Sequence, residues 1–155
     1  MLTIGAKAPF FSLQGLLEGK EGSYSLKDFL GKWVILYFYP KDDTPGCTQE
    51  ACDFRDSMTA LSEKNAVVLG VSKDPIISHT KFIQKFGLPF ALLSDPDTKV
   101  CEQYGAWKEK SMYGKTFLGI SRTTVLIDPS GNISKIWEKV KVSGHIQEVI
   151  DSIPV

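Results

Sequence analysis

The chain is expected to fold as an α/β protein with a mixed central β-sheet and helices on both of its faces. Three observations carry that expectation. Trp33-Val-Ile-Leu-Tyr-Phe-Tyr39 is an unbroken aromatic and β-branched run, as required of a strand covered on both sides. Helical and strand-like patterns then alternate, in the order strand, helix, strand, helix, strand, followed by strand, strand, helix. Asp128-Pro-Ser-Gly-Asn132, between two apolar runs, is the turn signal of a hairpin.

Taken in order, the segment before Trp33 is read as an added β-hairpin with a short helix at Ser25 to Phe29. Helical spacing of Ala51, Phe54, Met58 and Leu61 places a helix over about Thr44 to Lys64. Ala66 to Ser72 is a second buried strand. Pro75 to Phe86 is a second helix, stopped by Gly87. Phe90 to Ser94 is short and strand-like, and Asp95-Pro96 opens a helix that reaches Tyr104. Thr123 to Ile127 and Ile133 to Val140 form the hairpin, and Ser143 starts a last helix that ends near Ile153. No conformation follows from the sequence for Lys108 to Leu118. The element order resembles the thioredoxin fold, with the N-terminal hairpin as an extension.

At 155 residues the chain suits one domain, 1–155, with no linker or repeat. Apolar residues make up 43% and charged residues 23%, ordinary values for a globular protein. Lys plus Arg and Asp plus Glu both number 18, so the chain lacks the basic balance that nucleic acid or an anionic membrane calls for. Met1 to Phe10 has no charged segment followed by an apolar run, so no secretory leader is expected. The apolar run at Trp33 is too short to span a bilayer. The reading is a cytoplasmic protein, whose three cysteines are then inert, catalytic or metal-binding rather than structural bridges.

The chemistry concentrates in Tyr39-Pro-Lys-Asp-Asp-Thr-Pro-Gly-Cys-Thr-Gln-Glu-Ala-Cys52, at the carboxyl end of a buried strand, where sites of open α/β sheets lie. With Thr44 as N-cap and Pro45 first in the helix, Cys47 falls at the third helical position. An anion there meets unpaired N–H groups and the positive end of the helix dipole. That alone is insufficient. Moving a thiol from ~8.5 to about 6 needs roughly 3.4 kcal/mol. The dipole gives about 0.3 to 1 kcal/mol, or ~2 where partly buried. A fixed cation at ~4 Å supplies up to about 4 kcal/mol at an effective dielectric of ~20. The chain has two arginines, Arg55 and Arg122. Arg55 is about 12 Å from Cys47 along the helix axis. Spacing does not decide between Arg122 and a lysine.

Pro40, Thr44 and Cys47 match the Pro-x-x-x-Thr-x-x-Cys signature of the peroxiredoxins. The whole cysteine segment resembles their bacterioferritin comigratory protein (peroxiredoxin Q) branch. The likeness extends to Leu93-Ser-Asp95, Val100 to Trp107, Gly114-Lys115, Gly119 to Arg122 and Leu126-Ile-Asp128. It implies a thiol peroxidase. Cys47 would attack the peroxide and become a sulfenic acid, Arg122 would hold the thiolate, and Thr44 would hydrogen-bond sulfur and peroxide. Pro40 would shield the site, and the Gly46 and Cys47 N–H groups would cradle the developing charge. Glu50 would pair with an arginine, Arg122 being the candidate. Cys52 would resolve the sulfenic acid as a disulfide, reduced in turn by thioredoxin or a similar dithiol protein. No organic cofactor or metal is implied, and the branch suggests a monomer.

Cys47 and Cys52 stand about 8.6 Å apart, Cα to Cα, in an ideal helix, whereas a disulfide spans roughly 4.4 to 6.8 Å. Resolution therefore requires residues from about Thr44 to Phe54 to unwind. Other readings bear on the same residues. A Cys-x-x-Cys disulfide reductase is excluded because four residues separate these cysteines. A redox sensor or zinc module needs ligands that neither histidine supplies by spacing. Cys101 reads as a packing residue and Cys52 has a packing alternative. His79 and His145 read as sitting on polar helix faces without chemical roles, and Trp107 as wall or core.

Overall fold

The computed structural model describes residues 2–154. Seven strands form one sheet: β1 (Ser12–Leu17), β2 (Lys20–Ser25), β3 (Trp33–Phe38), β4 (Ala66–Ser72), β5 (Ala91–Ser94), β8 (Thr123–Ile127) and β9 (Ile133–Trp137). Between β5 and β8 the chain adds a separate hairpin, β6 (Trp107–Met112) and β7 (Lys115–Ile120). The sheet order is β2-β1-β5-β4-β3-β8-β9. β3, β4 and β5 run parallel, while β1, β8 and β9 pair antiparallel to their neighbours. The expected mixed sheet and N-terminal hairpin are both present.

Alternation along β3 builds two cores. Ile35, Tyr37 and Tyr39 face one layer with Phe54, Leu61, Phe82 and Val149. Those partners come from the helices α1 (Pro45–Asp56), α2 (Met58–Glu63), α3 (Ile76–Phe86) and α5 (His145–Asp151). Val34, Leu36 and Phe38 face the other layer, closed by Phe11, Leu26, Cys101 and Tyr104. There α4 (Lys99–Gln103) and a 3-10 turn over Leu26–Phe29 cover the sheet. Every residue of β3 after Trp33 is buried, so the unbroken apolar run has a physical reason.

Several boundaries differ from expectation. The long helix after the cysteine loop breaks at Ser57 (φ −104°, ψ 4°), whose N–H turns back to the Phe54 carbonyl at 3.1 Å. Asp95 does not cap the helix after it. Its carboxylate accepts the Cys101 N–H at 2.8 Å, and α4 starts later, from Thr98 in left-handed conformation. The final helix begins at His145 rather than Ser143. The segment that the sequence left unassigned contains most of the β6–β7 hairpin. It closes through Tyr113 (φ 53°) and Gly114 (φ 76°), a two-residue turn whose positive φ values suit the strand twist.

Candidate active site

β3 ends at Phe38, and the N–H of Tyr39 still bonds the Val71 carbonyl of β4 at 3.0 Å. The chain leaves the sheet at Pro40 and enters α1 at Pro45, with Thr44 as N-cap in extended conformation. Pro45 holds the first helical position, so Cys47 takes the third, as the spacing predicts. Thr48 makes the first helical bond, to the Thr44 carbonyl at 2.8 Å. Within the helix the N–H groups of Gly46 and Cys47 have no partner, as in any first turn. Cys47 is 2% exposed.

Arg122 lies immediately before β8, which pairs with β3, and that pairing brings it 75 positions back to the cysteine. Its Nη1 donates to Cys47 Sγ at 3.5 Å and to Glu50 Oε1 at 2.8 Å. Glu50, one turn beyond Cys47, is fully buried. Burial pushes its carboxyl up to about 7, and the Arg122 guanidinium works against that rise. Burial lowers the Arg122 value while Glu50 and Cys47 raise it, with a net upward shift. Gly46 lets the guanidinium approach: a Cβ there would stand 2.9 Å from Arg122 Nη2. The arginine left open by sequence spacing is thus Arg122. Arg55 instead bonds Asp56 and the Phe86 carbonyl.

The remaining expected residues are placed as follows. Pro40 begins the loop and is half-buried. The Thr44 hydroxyl donates to the Lys41 carbonyl at 2.8 Å, so its hydrogen is not directed at the sulfur. That bond closes the loop below Cys47. Cys52 is half-buried on the same unbroken helix, and all three cysteines are free thiols. Cys101 is buried away from them in the opposite core layer. Burial, then Asp95, pushes its thiol far above the ordinary range. Among the described residues no cluster of three or more His, Cys, Asp or Glu side chains is arranged to hold a metal.

Two features escaped sequence reasoning. Tyr37 and Glu50 each bury one oxygen, the hydroxyl and Oε2, without a hydrogen-bond partner among the described residues. Burial, then the charges of Glu50 and Cys47, pushes the Tyr37 phenol well up. More important, His79 is not on a polar face: it is fully buried. Its Nδ1 meets Asp42 Oδ2 at 2.6 Å and its Nε2 the Leu93 carbonyl at 3.0 Å. His145 is likewise buried, against the Thr124 hydroxyl at 2.8 Å. Ser78 and His79 follow Asp74 on one short segment of chain, a serine–aspartate–histidine density the sequence displays, but the partner Asp42 is 37 residues away.

A cysteine at a helix start, faced by a guanidinium at the carboxyl ends of parallel strands, on a thioredoxin-like sheet, defines a thiol-dependent oxidoreductase. Comparison with known proteins narrows the class. The family model described as the AhpC/TSA family matches residues 4–136. A Bcp-type relative from Coxiella burnetii (strain RSA 493) is 56% identical over 150 residues, covering 96% of this chain and 97% of that one. Peroxiredoxin Bcp of Bacillus subtilis (strain 168) is 47% identical, covering 98% and 95%. The solved bacterioferritin comigratory protein of Xanthomonas campestris superposes with a TM-score of 0.89 at 39% identity, covering 97% of each chain. The chain belongs to the AhpC/TSA family, within its Bcp (peroxiredoxin Q) group, and is a thiol peroxidase. No helix among the described residues is long and apolar enough to cross a membrane.

Proposed function

We propose that Cys47 is the peroxidatic cysteine and that Cys52 resolves it. The Cys47 thiolate attacks the terminal oxygen of a hydroperoxide. A sulfur–oxygen bond forms, the oxygen–oxygen bond breaks, and the alkoxide or hydroxide leaves with a proton as alcohol or water. Arg122 supports this step by its place beside the sulfur, and the free N–H groups at the helix start suit the leaving charge. Pro40 shields the sulfur, and Thr44, through its oxygen, accompanies the peroxide. Cys52 then displaces water from the sulfenic acid, closing an intramolecular disulfide once the first turns of α1 unwind. A thioredoxin-type dithiol returns both thiols. The chain works as a single-domain monomer in the cytoplasm, where thiols are kept reduced. Hydrogen peroxide and organic hydroperoxides are the substrates. In support, the bacterioferritin comigratory protein of Xanthomonas campestris has alkyl peroxide reduction activity.

The observation that carries this reading is the 3.5 Å contact of Arg122 Nη1 with Cys47 Sγ at the helix start. The test is intact and peptide mass after one equivalent of hydrogen peroxide. Wild type should lose two hydrogens through a Cys47–Cys52 bond. Cys47→Ser should form no such bond and lose turnover; retained turnover overturns the reading.

A further inference from the structure

We propose that the buried Asp42–His79 pair is the positioning anchor of the cysteine loop. It holds residues 40–46 in the form in which Cys47 faces Arg122, and it sets the fixed end from which α1 unwinds. The second half of this proposal rests on the resolving role given to Cys52 above.

The observations converge on one residue of the loop. The Asp42 carboxylate accepts from the Tyr39 hydroxyl at 2.6 Å and the Ser78 hydroxyl at 2.8 Å, and it meets His79 Nδ1 at 2.6 Å. Its own N–H donates to Asp74 Oδ2 at 2.8 Å. Asp74 is held by the Ser72 hydroxyl at 2.7 Å, and its carbonyl by the Ser94 hydroxyl at 2.6 Å. His79 reaches β5 through the Leu93 carbonyl. Asp42, through its carboxylate and its N–H together, thus ties the loop after β3 to the ends of β4 and β5 and to α3. These are the strand ends where the reacting cysteine sits.

Burial decides the strength of this tie. The His79 and Asp42 side chains are 0% and 3% exposed, so removing His79 takes one of three partners from a buried carboxylate, and removing Asp42 leaves the ring Nδ1 buried without one. The acceptors on both sides of the ring, a carboxylate and a carbonyl, require a proton in each of its two hydrogen bonds. A glutamine in place of His79 turns its amide carbonyl toward one of these acceptors, and an alanine in place of Asp42 leaves the ring nitrogen and the Tyr39 and Ser78 hydroxyls without the carboxylate they meet. Between the anchor and Cys47 the chain has little slack: Asp43 is in left-handed conformation (φ 57°), and the Thr44 hydroxyl closes back on Lys41. Movement at Asp42 is therefore passed to the start of α1. The anchored state favours attack by Cys47, and a freed loop favours the unwound state in which Cys52 arrives.

The test is rapid-quench alkylation with mass analysis, which separates the second-order oxidation of Cys47 from the first-order closure of the disulfide. Asp42→Ala and His79→Gln should each slow oxidation by about tenfold, the scale of a sub-ångström misplacement, while closure accelerates. The double variant should be no slower than either single variant, since both break one tie. Ile150→Val, in the core of α5, controls for general loss of stability and should leave both rates unchanged. Ser78→Ala removes one bond to Asp42 and should show the same opposed changes at smaller amplitude, which keeps the test open if a single variant fails to fold. Unchanged rates in a folded variant, both rates falling together, or additive effects in the double variant would overturn the anchor. If wild type forms no Cys47–Cys52 bond, the resolving role of Cys52 falls. The anchor is then judged on oxidation alone, kept by the tenfold loss and overturned by its absence.

Discussion

Arg122 and Glu50 share one hydrogen bond, from Nη1 to Oε1 at 2.8 Å, and the same nitrogen is the one directed at Cys47. The guanidinium is divided between a buried carboxylate and the Cys47 sulfur. Its position depends on Glu50, and its field at the sulfur depends on how far Glu50 neutralises it.

Arg122→Lys should lower the rate of Cys47 oxidation by hydrogen peroxide by roughly 10² to 10³, the usual cost of one oriented charge-stabilising donor. A lysine keeps the charge but not the planar fork. Arg122→Met should in addition lower stability by about 3 to 5 kcal/mol, because Glu50 would stay buried without its cation. Stopped-flow oxidation and urea unfolding read these separately. An Arg122→Lys enzyme as fast as wild type would show that the fork has no role.

The raised carboxyl of Glu50, at about 7, predicts a pH dependence of stability. An unfolded glutamate releases its proton near ~4.3. Between the two values the folded chain holds a proton that the unfolded chain has lost. The contribution of Glu50 is therefore fully present below about 4.3 and fades as pH rises through about 7, by on the order of 3 kcal/mol in all. Glu50→Gln should lack it, so wild type should gain stability relative to the variant on going from pH 8 to about 5. Parallel stability curves for the two proteins would exclude a raised carboxyl.

How much of this was legible follows from range and periodicity. The β3 strand and the Cys47 position could be read directly, because an unbroken apolar run and a Thr-Pro-x-Cys helix start are local signals. Arg122 could not be singled out by spacing, because its approach comes from β8 pairing with β3, 75 residues from the cysteine. The β6–β7 hairpin was missed because its strands are mostly exposed and mix lysines with Met112, Phe117 and Leu118, so no alternation marks a buried face. His79 was misplaced for a related reason. The α3 pattern, with Ile76, Phe82 and Phe86, left it looking like a polar residue, and only Asp42 on a distant loop offsets the cost of its burial.

Gly46 tests the closeness of the arginine without removing any polar group. A methyl group there would meet Nη2 at 2.9 Å, inside normal contact distance, so the guanidinium must retreat. Alanine is otherwise the better helix former, by about 1 kcal/mol. Gly46→Ala should therefore keep or raise the melting temperature while slowing Cys47 oxidation by about tenfold. Loss of stability in proportion to loss of rate would point to a backbone requirement instead.

Helix α1 is continuous from Pro45 to Asp56 in the thiol form, with Cys47 and Cys52 both inside it. At about 8.6 Å between Cα atoms in helical geometry, the two cannot bond. Oxidised wild type should therefore lose the helical amide shifts of residues 45–54, while β3 and α3 keep theirs. Cys52→Ser should retain the helix after peroxide treatment and accumulate a sulfenic acid on Cys47, trapped by a dimedone-type reagent. The Pro45-Gly46 pair lowers the cost of unwinding, since glycine adds little to helix stability. An NMR spectrum with an undisturbed α1 in protein carrying a proven Cys47–Cys52 bond would refute the unwinding, since both cysteines lie within that helix.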